Sequence, residues 1–279
     1  MRTRIITALI ALPIIIASIV LPVWWPPGVW LFVAIAAFAM AAGLFEFYSL
    51  TKKLELKADA GVGYVWATAL FIGFVFDAPA RQPDLILATI AAFVIALLAS
   101  QMFRFRVDFP RMLAGVGVTL LGVMYVAFLG GFLVATRMGF EQLPNLSTHL
   151  LGYFILVIFA SDTGAYFTGR AIGKHKLAPS ISPGKTYEGL VGGLIASAAA
   201  AAIATASFFH ELPYQWSIPL AVVLAAVGVL GDLAESAIKR GAGTKDAASI
   251  LPGHGGFLDR LDSLLFGAPI LYYFARFYF

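Results

Sequence analysis

Carboxylates and cations crowd into one stretch of an otherwise apolar chain. From Ser236 to Asp262 the sequence reads S-A-I-K-R-G-A-G-T-K-D-A-A-S-I-L-P-G-H-G-G-F-L-D-R-L-D. These 27 residues carry Lys239, Arg240, Lys245, Asp246, His254, Asp259, Arg260 and Asp262, in a protein that is 61% hydrophobic and 12% charged. Asp232, Glu235, Ser236 and Lys239 follow i, i+3, i+4, i+7 spacing, so they share one face of a helix, and Asp259, Asp262 and Ser263 repeat the first part of that pattern. The flanking runs 222–230 and 264–273 are almost wholly apolar and read as membrane helices. An ionised carboxylate at membrane depth costs several kcal/mol unless it is paired or metal-bound, so these four acids default to a functional site. The chain has no Cys, which rules out disulfides and thiolate metal sites. Oxygen ligands then favour a hard cation such as Mg²⁺. Carboxylates, a divalent cation and surplus Lys and Arg at a membrane surface suit phosphoryl or nucleotidyl transfer onto a lipid phosphate or alcohol.

A second polar block runs from Ser161 to Lys176 (S-D-T-G-A-Y-F-T-G-R-A-I-G-K-H-K) and continues as Ser182-Pro-Gly-Lys-Thr-Tyr-Glu188. Its Lys and Arg can neutralise phosphates, and Gly169, Gly173 and Gly184 allow close backbone approach. Gly184-Lys185-Thr186 resembles the end of a Walker A loop, but position 179 is Pro where the motif needs Gly, and no strand is expected before it. Blander readings stand beside these. Asp162 can cap or pair within a bundle, and Asp232, Glu235, Asp259 and Asp262 can form structural ion pairs with Lys239, Arg240 and Arg260. His254, between two glycines, can act as an acid or merely order the loop. Lys52, Lys53 and Lys57 read as topology signals, a reading that weakens for Lys239, Arg240 and Lys245 because they lie beside carboxylates.

The elements that must position these groups are membrane helices. A mean hydropathy of +0.89 over 279 residues is outside the range of soluble domains, and we expect one all-α polytopic membrane domain over 1–279, with N-terminal helices over 1–136 and a catalytic half over 147–279. Met1-Arg-Thr-Arg4 and the apolar run to Val23 exceed a secretory h-region and lack an A-x-A site, so they are taken as the first span. Further runs near 29–49, 61–77, 84–103, 112–136, 147–169, 188–209, 217–238 and 258–278 each approach the ~20 residues that cross ~30 Å of hydrocarbon, giving nine helices. The third is the weakest, with Gly61, Gly63 and Gly73; a re-entrant segment there would invert everything downstream. Nine spans put fifteen Lys and Arg on one side, including Arg2, Arg4, Arg106, Lys174 and Lys185, and leave three on the other, Arg81, Arg137 and Arg276. That bias places the N-terminus and the 239–257 loop in the cytoplasm. It also brings Asp162, Asp232, Asp259 and Asp262 to one cytoplasmic layer. Gly189, Gly192, Gly193 and the Ala-rich run after them read as close helix packing, and loop 101–111, mixing Arg with Phe, reads as an interfacial anchor able to attract anionic lipid.

The Ser236–Asp262 pattern, S-x-x-K-R-x-x-x-x-K-D-x-x-x-x-x-P-x-H-G-G-x-x-D-R-x-D, resembles the signature of the phosphatidate cytidylyltransferase (CDP-diacylglycerol synthase) family. Ser161-Asp-Thr-Gly-Ala-Tyr and Ser182-Pro-Gly-Lys-Thr-Tyr-Glu-Gly189 resemble further blocks of it, so the likeness covers roughly 120 C-terminal residues. The resemblance implies that CTP and phosphatidate react at the cytoplasmic face of the inner membrane to give CDP-diacylglycerol and pyrophosphate, with Mg²⁺, a nearby K⁺ and a homodimer. The bilayer, CTP and phosphatidate are then the partners, with no nucleic-acid polymer. Asp232 and Asp259 match the family's metal ligands, with Asp262 and Asp162 as further candidates in the same layer. Lys185, Lys239, Arg240 and Lys245 are expected to screen the reacting phosphates beside Asp232 and Asp259. Ser182, Lys185, Lys239, Arg240, His254, Gly255 and Gly256 are expected to contact the nucleotide, the last two through backbone N–H groups at the start of the last helix. Two rivals remain open: a CTP-dependent polyprenol or phytol kinase, which would release CDP, and an ion-coupled transporter, which would need acids at the midplane and inverted half-repeats.

Overall fold

A computed structural model of the chain describes residues 12–80, 83–105, 108–140, 143, 145–244 and 256–279. Its helices are α1 (Leu12–Val23), α2 (Val29–Lys53), α3 (Ala60–Ala80), α4 (Asp84–Phe105), α5 (Phe109–Gly122), α6 (Leu129–Met138), α7 (Leu146–Ile172), α8 (Tyr187–Ser207), α9 (Tyr214–Gly241) and α10 (Leu258–Tyr278). A π-helical segment, Val123–Phe128, joins α5 to α6, so Phe109–Met138 forms one continuous helix. Among the described residues seven helices are long and apolar enough to cross a membrane: α2, α3, α4, the joined α5–α6, α7, α8 and α9. α10 has the length but carries Asp259, Arg260 and Asp262 in its first turns, and of the first expected span only Leu12–Val23 falls within the described residues. The all-α polytopic class holds. The third segment, weakest by sequence, is an uninterrupted 21-residue helix, because Gly is tolerated in helices that lack competing water.

One departure from the all-helical reading lies between α7 and α8. Strands β1 (Lys176–Ala178) and β2 (Ser182–Thr186) pair antiparallel, with Lys176 opposite Thr186 and Ala178 opposite Ser182. The expectation that no strand precedes Gly184-Lys185-Thr186 is thereby corrected: β1 precedes it, and the motif itself lies in β2, which runs directly into α8. Pro179 and Ser180 form its turn, a role suited to these residues that a helix-period search does not detect. Thr186 then caps α8, its Oγ1 accepting from Gly189 N at 3.1 Å. Glu188 ties the base of the hairpin, accepting from Lys174 N at 3.1 Å and lying 2.6 Å from His175 Nδ1.

Helices α7 and α8 pack backbone to backbone through small residues, as the glycine run suggested. A side chain on Gly193 would stand 2.9 Å from the Ser161 carbonyl oxygen, and one on Gly189 would stand 2.9 Å from that of Ala165. This contact brings the hairpin, and Lys185 on it, up against the turn of α7 that carries Asp162. Elsewhere, fully buried Phe74, Tyr153, Phe154 and Phe209 fill one core with α3, α6, α7 and α9, and Phe47, Leu50, Phe93 and Val123 fill a second around α2, α4 and the π segment. Gly193→Val should therefore force α7 and α8 apart and destabilise the protein by about 1–3 kcal/mol. Gly117→Ala, where added atoms meet nothing within 4 Å, should leave the melting temperature in detergent unchanged or raised. Equal melting temperatures for Gly193→Val and the parent would contradict this packing.

Candidate active site

Two lysines divide the acids into two groups. Lys185, at the end of the hairpin, places Nζ 2.7 Å from Asp232 Oδ2 on α9 and 3.5 Å from the Val229 carbonyl oxygen. Asp232 Oδ1 accepts from Ser236 Oγ at 3.3 Å, one turn along α9. Asp162 on α7 and Asp262 on α10 both lie within electrostatic reach of Asp232 and Lys185, and Arg260 adds a cation near Asp162. Asp262 is 9% exposed, and its Oδ1 accepts from Ser263 N at 2.6 Å. Lys185 thus stands among three aspartates from three helices.

The second group forms around Lys239, whose Nζ lies 2.5 Å from Glu235 Oε2 and 2.5 Å from Asp259 Oδ1. The i, i+4 spacing read from the sequence makes the first contact, and only the packing of α10 against α9 makes the second. The other oxygen of Asp259 accepts from Gly256 N at 2.8 Å. A third acid enters from the opposite half of the chain. Glu46 on α2 is fully buried and bidentate, Oε1 accepting from Phe257 N at 2.8 Å and Oε2 from Leu258 N at 2.7 Å. Lys239 and Asp259 are both within electrostatic reach of it. These bonds satisfy orphan donors at the N-terminus of α10 and place negative charge on the positive end of its dipole.

Glu46 is the residue that sequence reasoning missed. Its signal was present: a lone acid inside the apolar run 29–49 has no reason to persist in a membrane helix without a partner. Its role also revises the expectation for Gly256. Gly256 N, expected to face a phosphate, donates to Asp259, and the next two backbone donors, Phe257 N and Leu258 N, are held by Glu46. Arg240 is exposed on the next face of α9, and its Nε donates to the Ile181 carbonyl oxygen at 3.2 Å, fastening the hairpin tip to the site. Ser182 sits at the start of β2 on the same hairpin. Lys245, His254 and Gly255 lie outside the described residues, as does Asp246.

Charge and donor chemistry suit a divalent cation. Among the described residues six carboxyl groups gather with three cations, Lys185, Lys239 and Arg260, so the acids outnumber the cations. The donors are oxygens, as a hard cation requires. Among the described residues no three acids or histidines are grouped closely enough to form a metal cage. Mg²⁺ in general needs no all-protein cage, since one or two carboxylates and substrate phosphates can hold it. Asp232, implied with Asp259 as a metal ligand, belongs to the Lys185 group, and Asp259 belongs to the Lys239 group.

A sequence model of the cytidylyltransferase family matches residues 2–278. The chain is 36% identical to the phosphatidate cytidylyltransferase of Brucella suis over 278 residues, covering 98% of this chain and 93% of the relative. It is 34% identical to that of Bacillus subtilis over 246 residues, 86% and 87% of the two chains. The match to that of Haemophilus influenzae is 42% over 157 residues, which is 53% of each chain.

Replacing Glu46 with Gln tests its hold on α10. An amide offers one acceptor oxygen where the carboxylate offers two, so one buried N–H loses its partner, at a cost of about 1–3 kcal/mol. Glu46→Gln should lower the melting temperature in detergent by a few degrees and speed amide exchange at the start of α10. Parental stability and exchange would show that α10 is positioned without it.

Proposed function

The chain belongs to the cytidylyltransferase family, and from that premise we propose that it transfers the cytidylyl group of CTP to phosphatidate, giving CDP-diacylglycerol and pyrophosphate in phospholipid synthesis. The observation that carries this reading is the pair of lysine–carboxylate groups, built from the family's own signature and from the hairpin before α8. Such a site can receive a metal–nucleotide complex and exchange its internal ion pairs for substrate contacts.

The nucleophile needs no general base. A phosphate monoester has a second pKa of about 6 and is largely ionised at neutral pH. The difficulty is repulsion between the phosphatidate anion and the nucleotide, and the charge gathered on departing pyrophosphate. Lys185 and Lys239 each hold a carboxylate at the site and can turn to the phosphates, and Arg240 and Lys245 add charge nearby. Ser182, His254 and Gly255 are retained as nucleotide contacts. Asp232 and Asp259, with Asp162 and Asp262 beside them, would hold Mg²⁺, which supplies positive charge at the phosphates; a K⁺ ion nearby and a homodimer complete the proposal. The lipid substrate needs no exit from the bilayer, because the carboxylates belong to membrane helices.

The relatives are bacterial, which supports the inner membrane, and the fifteen-to-three bias of Lys and Arg supports a cytoplasmic site. In this Cys-free chain, Lys174→Cys should label only from the cytoplasm and Glu211→Cys only from outside. Reversed labelling would overturn the orientation. For the reaction, purified protein with CTP, phosphatidate and Mg²⁺ should yield a CDP-lipid and pyrophosphate in equal amounts, whereas release of CDP would assign a lipid kinase. Asp232→Asn and Asp259→Asn should each lower turnover by at least ~10²-fold, or ~2.7 kcal/mol of transition-state stabilisation. Near-parental rates in both would move the metal site elsewhere.

A further inference from the structure

Tyr125 is a polar group in the site's neighbourhood that neither the sequence pattern nor the proposed reaction uses. It sits in the π segment Val123–Phe128, where Leu129 N bonds back to the Met124 carbonyl oxygen, five residues away. An extra residue in the turn rotates the two halves of the joined helix by about 100° relative to an α-helical continuation. π segments are uncommon and recur at functional sites, because their poorer hydrogen bonding must be offset by something. Val118 before the segment, Tyr125 within it and Phe132 after it are all buried.

The side chain is fixed and unsatisfied. Its ring packs edge-on against Phe47 of α2, with centroids 6.2 Å apart, and against Phe266 of α10 at 6.1 Å. Tyr125 is 6% exposed, and its hydroxyl has no hydrogen-bond partner among the described residues. Leaving a buried hydroxyl unpaired costs about 1–3 kcal/mol, which a Phe at this position would avoid. The hydroxyl is also within electrostatic reach of Asp262, Glu235, Asp232 and Asp259, acids that belong to both lysine groups. Most of the nearby oxygens are already committed: Asp232 to Lys185 and Ser236, Asp259 to Lys239 and Gly256, Asp262 Oδ1 to Ser263 and Glu235 Oε2 to Lys239, while Glu235 Oε1 is buried with no hydrogen-bond partner among the described residues.

We propose that Tyr125 is a substrate-binding residue of this site, its neutral O–H donating to an anionic phosphoryl oxygen of the bound substrate, either the nucleotide's triphosphate or the lipid's phosphate. This rests on the reading of the site as a place where phosphates react among carboxylates. A phenol supplies a donor without adding a third buried ammonium, whose desolvation would be costly at this depth. The rings of Phe47 and Phe266 hold the donor in place before substrate arrives, so it is not ordered at the expense of binding.

Tyr125→Phe removes one oxygen and nothing else, and the proposal makes stability and function move in opposite directions. In the full-length protein in detergent, the variant should melt at or above the parental temperature. It should lose at least 10-fold in kcat/KM, with the KM change confined to CTP or to phosphatidate according to which phosphate it contacts. A second readout is independent of turnover: the rise in melting temperature on adding CTP with Mg²⁺, or phosphatidate in mixed micelles, should shrink in Tyr125→Phe for one of the two ligands. A variant that melts lower than the parent but keeps its kinetics and ligand shifts would make the hydroxyl structural and overturn the proposal; so would parental values throughout. If the parent shows ligand shifts but forms no CDP-lipid, the assigned reaction fails while the shifts still decide the role of Tyr125.

Discussion

Six carboxylates gathered in a helical membrane bundle are the constraint on which the rest of this structure depends. Each would be expensive alone, and their mutual repulsion would be worse in low dielectric. The protein resolves this with two lysines, Arg260 and one helix terminus. Lys185 stands among Asp162, Asp232 and Asp262, Lys239 bridges Glu235 and Asp259, and Glu46 rests on the backbone N–H groups of α10. Other features of the fold follow from delivering these partners. The hairpin exists at the place where Lys185 must reach α9. The glycine contact between α7 and α8 keeps that hairpin against Asp162. α2 supplies from the N-terminal half the acid that anchors the signature's last helix.

Among the described residues the acids of the site outnumber its cations, and that is its functional content. A bundle optimised for stability alone would replace these groups with apolar side chains, since buried ion pairs seldom outweigh their desolvation. Retaining more carboxylates than cations leaves a site that attracts positive charge, and holding its lysines on carboxylates keeps them in place for phosphates. Reaction of two anionic substrates needs both kinds of charge at one point, and the two groups supply them side by side.

Much of this was legible in the sequence, for a physical reason. Helical periodicity exposes neighbours within one helix, so the face of Asp232, Glu235, Ser236 and Lys239 was readable, and the Glu235–Lys239 pair lies on it. Hydropathy exposes spans, so the polytopic helical class and the span boundaries were close. What crosses between helices was not readable. The bond from Glu46 to Phe257 and Leu258 joins residues more than two hundred positions apart, and no local pattern encodes it. The division of the acids between Lys185 and Lys239 depends on how α7, α9, α10 and the hairpin meet. The hairpin itself was too short to show alternation, and the π segment is invisible to a search tuned to 3.6 residues per turn.

The central claim is that Lys185 and Lys239 occupy carboxylate oxygens that a divalent cation would otherwise take. Mn²⁺ titration followed by EPR, on full-length protein without nucleotide, tests it directly by comparing the parent with Lys185→Met and Lys239→Met. Removing a competing ammonium should tighten Mn²⁺ binding by at least ~10-fold, or ~1.4 kcal/mol, in one or both variants. Equal or weaker Mn²⁺ binding in both variants than in the parent would contradict the account.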